Sequence, residues 1–588
     1  MNDRVFASLA IFGITLTLAS FAGCGGASGT GDDIDGGGAS SGGASSGGAS
    51  SGGASSGGAS SGGASSGGAS RCPDVAADPR ATAERPRSKV DVAMPAFAGE
   101  VIAVPAGGDL QAALDRAVAG DIVELAAGAT FTGPFTLRNH AGNGWVMLRS
   151  AGTLPAEGTR VAPADAVPMA KIVAPAGQSA IVTEVGAHHY RMVGIEFTTA
   201  ADAFSYALIS FSVEAAAPGD VPHHLIVDRC YLHGSATAGT RRGIALNSAH
   251  SAVIESYFTD FREVGADSQA ICGWSGPGPF GIYDNYLAGA AENIMFGGAP
   301  SGGPEYNPAD IEVCGNHLDK PLSWYELDPS FAGPDWVNKN LFELKNARRT
   351  LLAGNVLERS WGDGQVGWAI LLTPRGEENP ALDHAVQDVT VAYNIVRDVG
   401  AGISMLSRDD GTPGTAPSAR FLITHNLIEV DGPRWNGAGR GFGIYEGGAT
   451  ADRIVITHNT LRVTGNAAMV LGDNAPIATA LVVENNLFER GDYGVFGGGQ
   501  GEGRAALDHY VPGYVFRANA IFGGANANVY PEGNFFPASA AEVGFVDFAG
   551  GDFRLAPNSS LRSLAIGGGA LGADIEAILQ RTSGVVRN

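Results

Sequence analysis

The chain has 588 residues with 37 basic and 60 acidic side chains, a formal net charge of −23. That excess leaves no broad basic face for phosphates, which excludes nucleic acid as a natural partner. Its 5 cysteines show no C-x-x-C or other zinc spacing, which excludes a recognised cysteine metal framework. In chain order, residues 5–22, VFASLAIFGITLTLASFA, form an apolar run behind Arg4 that fits a signal h-region or a minimal membrane span. Residues 25–70 are almost wholly Gly, Ser and Ala, with GGASS repeating from Gly37. A segment with no apolar face cannot offset its ordering entropy, so it reads as a flexible tether with a random-coil reach of about 35–40 Å. Residues 71–98 form an extended lead-in, and 99–588 the folded body. Cys230, Cys272 and Cys314 sit in repeated strand segments, so buried free thiols are expected there rather than a disulfide scaffold.

The junction FAGCGG (21–26) resembles a bacterial lipobox. The resemblance implies a signal peptide over 1–23, a diacylated Cys24 and a membrane partner reached through that lipid. Gly25, where an aspartate would signal inner-membrane retention, implies the outer membrane or cell surface of a bacterial envelope. An uncleaved membrane anchor and ordinary secretion are the alternatives.

The body repeats itself. FLITHNLIEV (421–430) returns as IVITHNTLRV (454–463), and worn copies run from LIVDRCYLHG (225–234) to YVFRANAIFG (514–523). Aligned on the turn, they place Cys230, Ser256, Asn285, Asn316, Asn355, Asn394, Asn426, Asn459, Asn486 and Asn519 in one column. The spacings of roughly 26–39 residues are those of a solenoid. Alternation within each phrase, as in Ile454 and Ile456 against Val455, has the period of a strand. Asparagine tolerates left-handed backbone, and stacked amides can form a ladder along the axis. The reading is an all-β parallel β-helix of about eleven or twelve coils, with strands stacked at about 4.8 Å. An open solenoid end exposes unpaired strands. GGDLQAALDRAVAGD (107–121) offers a short N-terminal capping helix, with Asp109 as N-cap and Leu110, Ala113, Leu114 and Ala117 on one face.

That opening, through GPFTLRN to WVMLRS, looks like the N-terminal segment of the pectin-lyase-like superfamily. The resemblance covers about 100–575 and implies a right-handed coil and binding or cleavage of polysaccharide along one sheet. The N-T-D, G-H-G and R-I-K motifs of polygalacturonases are absent, as is the W-I-D-H of pectate lyases. The only D-D in the body is Asp409-Asp410. AENIMFGG (291–298) is similar to a calcium-binding stretch, E-x-I-R-x-G, of the chondroitinase B and alginate lyase family, with Met295 where that family has arginine.

Lyases of uronate polymers remove a proton α to a carboxylate whose charge is first neutralised, by Ca²⁺ or by arginine. A basic group then takes the proton. Third strands of successive coils offer Asp267, Glu292, Asn293 and Glu343 as metal ligands and Lys345, Arg375 and Arg408 as catalytic bases or acids. Asn247, His250, Trp274, Arg349 and Glu446 are the substrate-binding candidates. The bland alternative is that these are solvated face residues, with Glu343 and Lys345 a structural ion pair. His188-His189 and His223-His224 precede equivalent strands, but no acid or third histidine at fixed spacing supports a metal site there. The expected function is a polysaccharide lyase acting on an acidic glycan; the competing class is a non-catalytic glycan-binding or adhesive solenoid.

Overall fold

The computed structural model describes residues 71–212, 217–376, 383–409 and 415–587. The lipobox and tether therefore lie outside the described residues. Each coil gives one strand to each of three long sheets, whose neighbours are parallel, as in Val386–Ala392, Ile395–Val399 and Ala401–Leu406. Sheet A has 14 strands, from Val101–Val104 to Val515–Arg517; sheet B has 13, from Thr130–Thr132 to Ala520–Phe522; sheet C has 12, from Phe135–Leu137 to Val495–Gly497. This is a parallel β-helix. Inward residues of all three sheets fill one continuous core that includes Ile423, Ile456, Phe258 and Phe342.

The turn column is a hydrogen-bonded ladder. From Asn285 through Asn316, Asn355, Asn394, Asn426, Asn459, Asn486 and Asn519, each Nδ2 donates to the next Oδ1 at 2.9–3.1 Å. Asn534 receives the last bond, and Ser256 and Cys230 join at the other end through backbone N–H donation. The amides also accept from backbone, as when Asn394 N donates to Asn426 Oδ1 at 3.1 Å. The ladder thus satisfies the polar groups that each sharp turn between sheets A and B would otherwise bury unpaired.

At the N-terminal end the helix Leu110–Arg116 buries Leu110, Ala113 and Leu114, and Asp109 accepts from Ala112 N at 2.9 Å. The lead-in forms a hairpin strap along the outer face of sheet A. Arg71 pairs with Glu255, Ala81 packs on Leu422, Val455 and Val482, Lys89 pairs with Glu312, and the Val92 and Ala93 carbonyls accept from Arg191. The C-terminal segment folds back along the A–B edge, where Ile575 and Ile578 pack on Val356, Ile395 and Leu427.

The cysteines correct one expectation. Cys314 is joined to Cys72 by a disulfide across 242 residues, while Cys230 and Cys272 are buried thiols outside that bridge. The strand position of Cys314 faces the strap rather than the core, which is why a partner reaches it. No helix among the described residues is long and apolar enough to cross a membrane.

Candidate functional site

Alternation along sheet C decides which side chains face outward. In the strand Glu292–Phe296, Ile294 and Phe296 enter the core, while Met295 packs outside with Cys272 and Ala299. In the next strand Phe342 and Leu344 enter the core, so Glu343, in register with Met295, stands on the outer face, and Lys345 follows it on the same side. Glu292 is in register with Gln269 of the preceding coil. Glu292, two residues before the inward Ile294, is fully buried, and Lys345 is only 4% exposed.

Lys345 Nζ lies 3.7 Å from Glu343 Oε1, and Asn340 Nδ2 donates to Glu343 Oε2 at 3.2 Å. Gln269 Nε2 donates to Glu292 Oε2 at 2.7 Å. Beside them Lys339 Nζ sits 2.7 Å from Asp267. The double glycine 297–298 makes room for the lysine. Gly297 has a φ of 93° and a Cβ there would stand 2.3 Å from Asn346 N; one on Gly298 would stand 3.1 Å from Lys345 Cδ.

Burial, and then the charges of Asp267 and Glu343, push the Glu292 carboxyl well above the usual range, toward the neutral acid. Burial draws Lys345 toward the neutral amine, but the carboxylates of Glu343, Glu292 and Asp267 outweigh it and hold the ammonium above its ordinary value. Behind the patch, fully buried Lys320 donates to the carbonyls of Gly289, Ala290 and Ala291 at 2.9, 2.5 and 3.1 Å, and burial pulls it down to about 7. It holds the turn that delivers Glu292.

Three acceptor oxygens, Gln269 Oε1, Glu292 Oε1 and Asn340 Oδ1, are buried without a protein partner. Orphan acceptors of this kind cost free energy unless a cation, water or ligand hydroxyl meets them. An all-oxygen set of two carboxyls and two amides suits a hard cation such as Ca²⁺. The donor chemistry fits such an ion with Glu292 ionised in its presence.

The structure brings most of the sequence candidates to one edge. Asn247, Trp274, Lys345, Arg375, Arg408 and Glu446 all follow the ends of sheet C strands. Asn247 Oδ1 accepts from Trp274 N and Ser275 N at 2.9 and 3.1 Å, and Trp274 stacks on Arg242 at 5.3 Å. Arg375 pairs with Asp409. Arg408 donates to Gly448 O, and Glu446 accepts from Gly448 N at 2.7 Å.

Three candidates do not join them. LFELKNARR turns from sheet C into sheet A within two residues, so Arg349 lies on sheet A, paired with Asp310 at 2.7 Å. His250 likewise opens the sheet A strand Ser251–Ile254 and stacks on His224 at 4.6 Å. Asn293 turns away from Glu292, donating to the carbonyls of Leu287 and Asp319 at 2.6 and 2.7 Å. Among the described residues Asp267, Glu292 and Glu343 do not bring three carboxylate oxygens within 4.8 Å of one another.

Gln269, Asn340 and Lys339 escaped the sequence reading. The available signal was register: Arg242, Gln269, Glu292 and Asn340 each stand two residues before an inward Ile244, Ile271, Ile294 or Phe342.

No family model matches the chain, and no curated protein matches it in sequence. Solved structures align with about three quarters of it. An alginate lyase from Paenibacillus sp. str. FPU-7 is 14% identical over 75% of this chain and 99% of its own, with a TM-score of 0.29. A mannuronic acid specific polysaccharide family 6 lyase from human gut microbiota is 12% identical over 74% and 91%, with a TM-score of 0.42. The tailspike protein of E. coli bacteriophage HK620, solved with a pentasaccharide, is 13% identical over 73% and 62%, with a TM-score of 0.41. At these identities the likeness is one of fold alone.

Proposed function

We propose that this chain is a polysaccharide lyase acting on an acidic, uronate-containing glycan, held at the bacterial cell surface by a lipid on Cys24. The observation that carries the reading is the buried Glu343–Lys345 pair on the outer face of sheet C, with the buried Glu292 carboxyl and its unmet oxygen near enough to feel both charges. An isolated structural ion pair needs neither the second carboxyl nor the three orphan acceptors.

Uronate elimination needs a neutralised carboxylate, a proton acceptor and a proton donor. Glu292 and Glu343, with Gln269 and Asn340, would hold Ca²⁺, which when bound would supply positive charge toward the substrate carboxylate. Arg375 and Arg408, on the same edge, add fixed guanidinium charge for neighbouring uronates. Lys345 is the proton-transfer group: the surrounding carboxylates favour its ammonium, which would first lose its proton to solvent as burial favours, then take the substrate's α-proton and return it to the leaving glycosidic oxygen. In the metal-free protein Glu292 is instead held toward the neutral acid and can donate a hydrogen bond to an incoming oxygen. The Cys72–Cys314 bridge supports an oxidising, extracytoplasmic location. The strap and C-terminal segment make their contacts on sheet A and the A–B edge, which leaves the sheet C edge for a polymer.

One observation favours a second reading, a non-catalytic glycan-binding solenoid: Lys345 is held charged by its neighbour and is nearly inaccessible. The test is incubation of the full chain with a panel of uronate polysaccharides, with and without chelator, recording unsaturated product. Chelator-sensitive product supports the lyase; binding to one of the polymers with no product from any supports the binder.

A further inference from the structure

We propose that the imidazole cluster at the N-terminal end of sheet A is a binding site for a divalent transition-metal ion of nitrogen preference, Cu²⁺ most tightly and Ni²⁺ or Zn²⁺ less so. The site is separate from the sheet C patch and does not depend on its function. His188 and His189 open the strand His188–Val193, His223 and His224 open His223–Asp228, and His250 precedes Ser251–Ile254. Register places His223 beside His188 and Ala249 beside His223, so His189, His224 and His250 form one column. His250 is the third histidine whose absence from any fixed sequence spacing hid the site. Its spacing from His224 differs from that between His224 and His189 because the intervening coils differ in length.

Consecutive side chains on a strand ordinarily point to opposite faces. Here His189, His224 and His250 adopt φ of 56°, 55° and 49°, a left-handed conformation that costs a side chain energy and turns each ring beside its neighbour. Nδ1 of His188 comes within 2.9 Å of Nδ1 of His189, and the corresponding atoms of His223 and His224 within 2.7 Å. Two nitrogens bound at about 2.0 Å to one ion at a right angle are about 2.8 Å apart, the spacing of tetragonal coordination. Donor atoms of His189, His223 and His224 all lie within 4.8 Å of one another. Stacked rings, at 5.0 Å for His188 on His223 and 4.2 Å for His189 on His224, align the two coils. His140, buried and with its Nε2 unpartnered, adds a ring 4.6 Å from His188.

The rest of the same column is a natural contrast. Two coils beyond His250 it is filled by Asp310, Arg349, Asp388 and Arg420, which close on one another as ion pairs at 2.7 and 2.6 Å. Among the described residues no carboxylate forms such an ion pair with the histidine segment. Burial, and then the neighbouring imidazoles, hold His189 down to about 4 and His224 to about 3. The geometry agrees: an Nδ1···Nδ1 contact of 2.7–2.9 Å holds at most one proton, so one nitrogen of each pair carries the bare lone pair with which imidazole ligates metal. Trp145 packs on His189 at 5.3 Å, and with Asp91, His224 and His250 it lines a cavity of about 510 Å³ that gives an ion access.

The test titrates chelator-stripped full chain with CuCl₂, NiCl₂, ZnCl₂ or CaCl₂ alone, by calorimetry and by electron paramagnetic resonance of the copper form. The expected result is one Cu²⁺ per chain with hyperfine structure from at least three nitrogens, and no heat from Ca²⁺ that the His189→Gln/His224→Gln variant loses. That variant should bind Cu²⁺ at least about tenfold more weakly, since even outer-shell losses cost about 10–100-fold. His425→Gln/His458→Gln, a stacked pair elsewhere on sheet A, should bind as wild type does. Equal Cu²⁺ affinity in wild type and His189→Gln/His224→Gln would overturn the site. If that variant fails to fold, the wild-type spectrum decides: oxygen-only coordination overturns the proposal and three or more nitrogens uphold it.

Discussion

At the scale of single residues, the outer face of sheet C is governed by what burial does to charge. Glu292 and Lys345 are both desolvated, yet they are pushed in directions that differ with their neighbours: more negative charge raises the carboxyl, and the same charge keeps the lysine protonated. Glu292 held neutral should therefore tolerate an amide. In Glu292→Gln the Gln269 hydrogen bond has an oxygen to meet, and the melting temperature should move by no more than about 2 °C. A much larger fall by differential scanning calorimetry would mean that the carboxylate is ionised and that its charge is essential to the local packing. The candidate carboxylates and Lys345 were legible because they interrupt apolar strands. Arg349 and His250 were misplaced because corners of two and four residues between sheets leave no mark in hydrophobic periodicity.

At the scale of elements, the asparagine column was legible because one turn geometry, repeated, selects one residue. Its energetic role follows from the bonds it makes. Asn426 donates to Val391 O at 2.9 Å and Asn459 Oδ1 at 3.0 Å, and accepts from Asn394 N. Asn426→Ala leaves these partners buried and unmet, so stability should fall by about 3 kcal/mol. Chemical denaturation would show it, and an unchanged midpoint would mean that the turns are held by packing alone. The histidine column predicts a pH effect in metal-free protein. His189 and His224 have folded values depressed to about 4 and 3 against an unfolded value near 6.5. The unfolded chain then binds more protons between these limits, so the stability contribution is complete above about pH 6.5 and is lost as pH falls toward 3–4. In chelator, the melting temperature of wild type should drop through that window more steeply than that of His189→Gln/His224→Gln. Parallel curves would contradict the burial of neutral rings.

At the scale of the whole molecule, the solenoid is bound along its length by two segments that the repeat pattern does not describe. The lead-in reads as extended and featureless, but its alternating apolar and charged residues match the outer face of sheet A over many coils. That complementarity becomes visible only when register is known. The Cys72–Cys314 bridge was likewise invisible at a separation of 242 residues, because sequence spacing carries no signal for a contact made by folding back. Cys72→Ser should lower stability by about 3 kcal/mol. It should also expose the strap to limited proteolysis between 71 and 98 while the sheets stay protected. Protease resistance equal to wild type would show that the ion pairs of Arg71, Arg80 and Lys89 suffice.

The central claim is that Lys345 transfers a proton on the outer face of sheet C rather than merely neutralising Glu343. Its most direct test is the turnover of Lys345→Ala on whichever uronate polymer the wild type cleaves, measured well below the melting temperature on protein whose circular dichroism is unchanged. The account predicts a fall in kcat on the order of 100-fold or more, even though removing the lysine also destabilises the fold by leaving Glu343 buried and unpaired. A variant that melts earlier but turns over within about twofold of wild type would contradict it, and would make the pair a structural salt bridge.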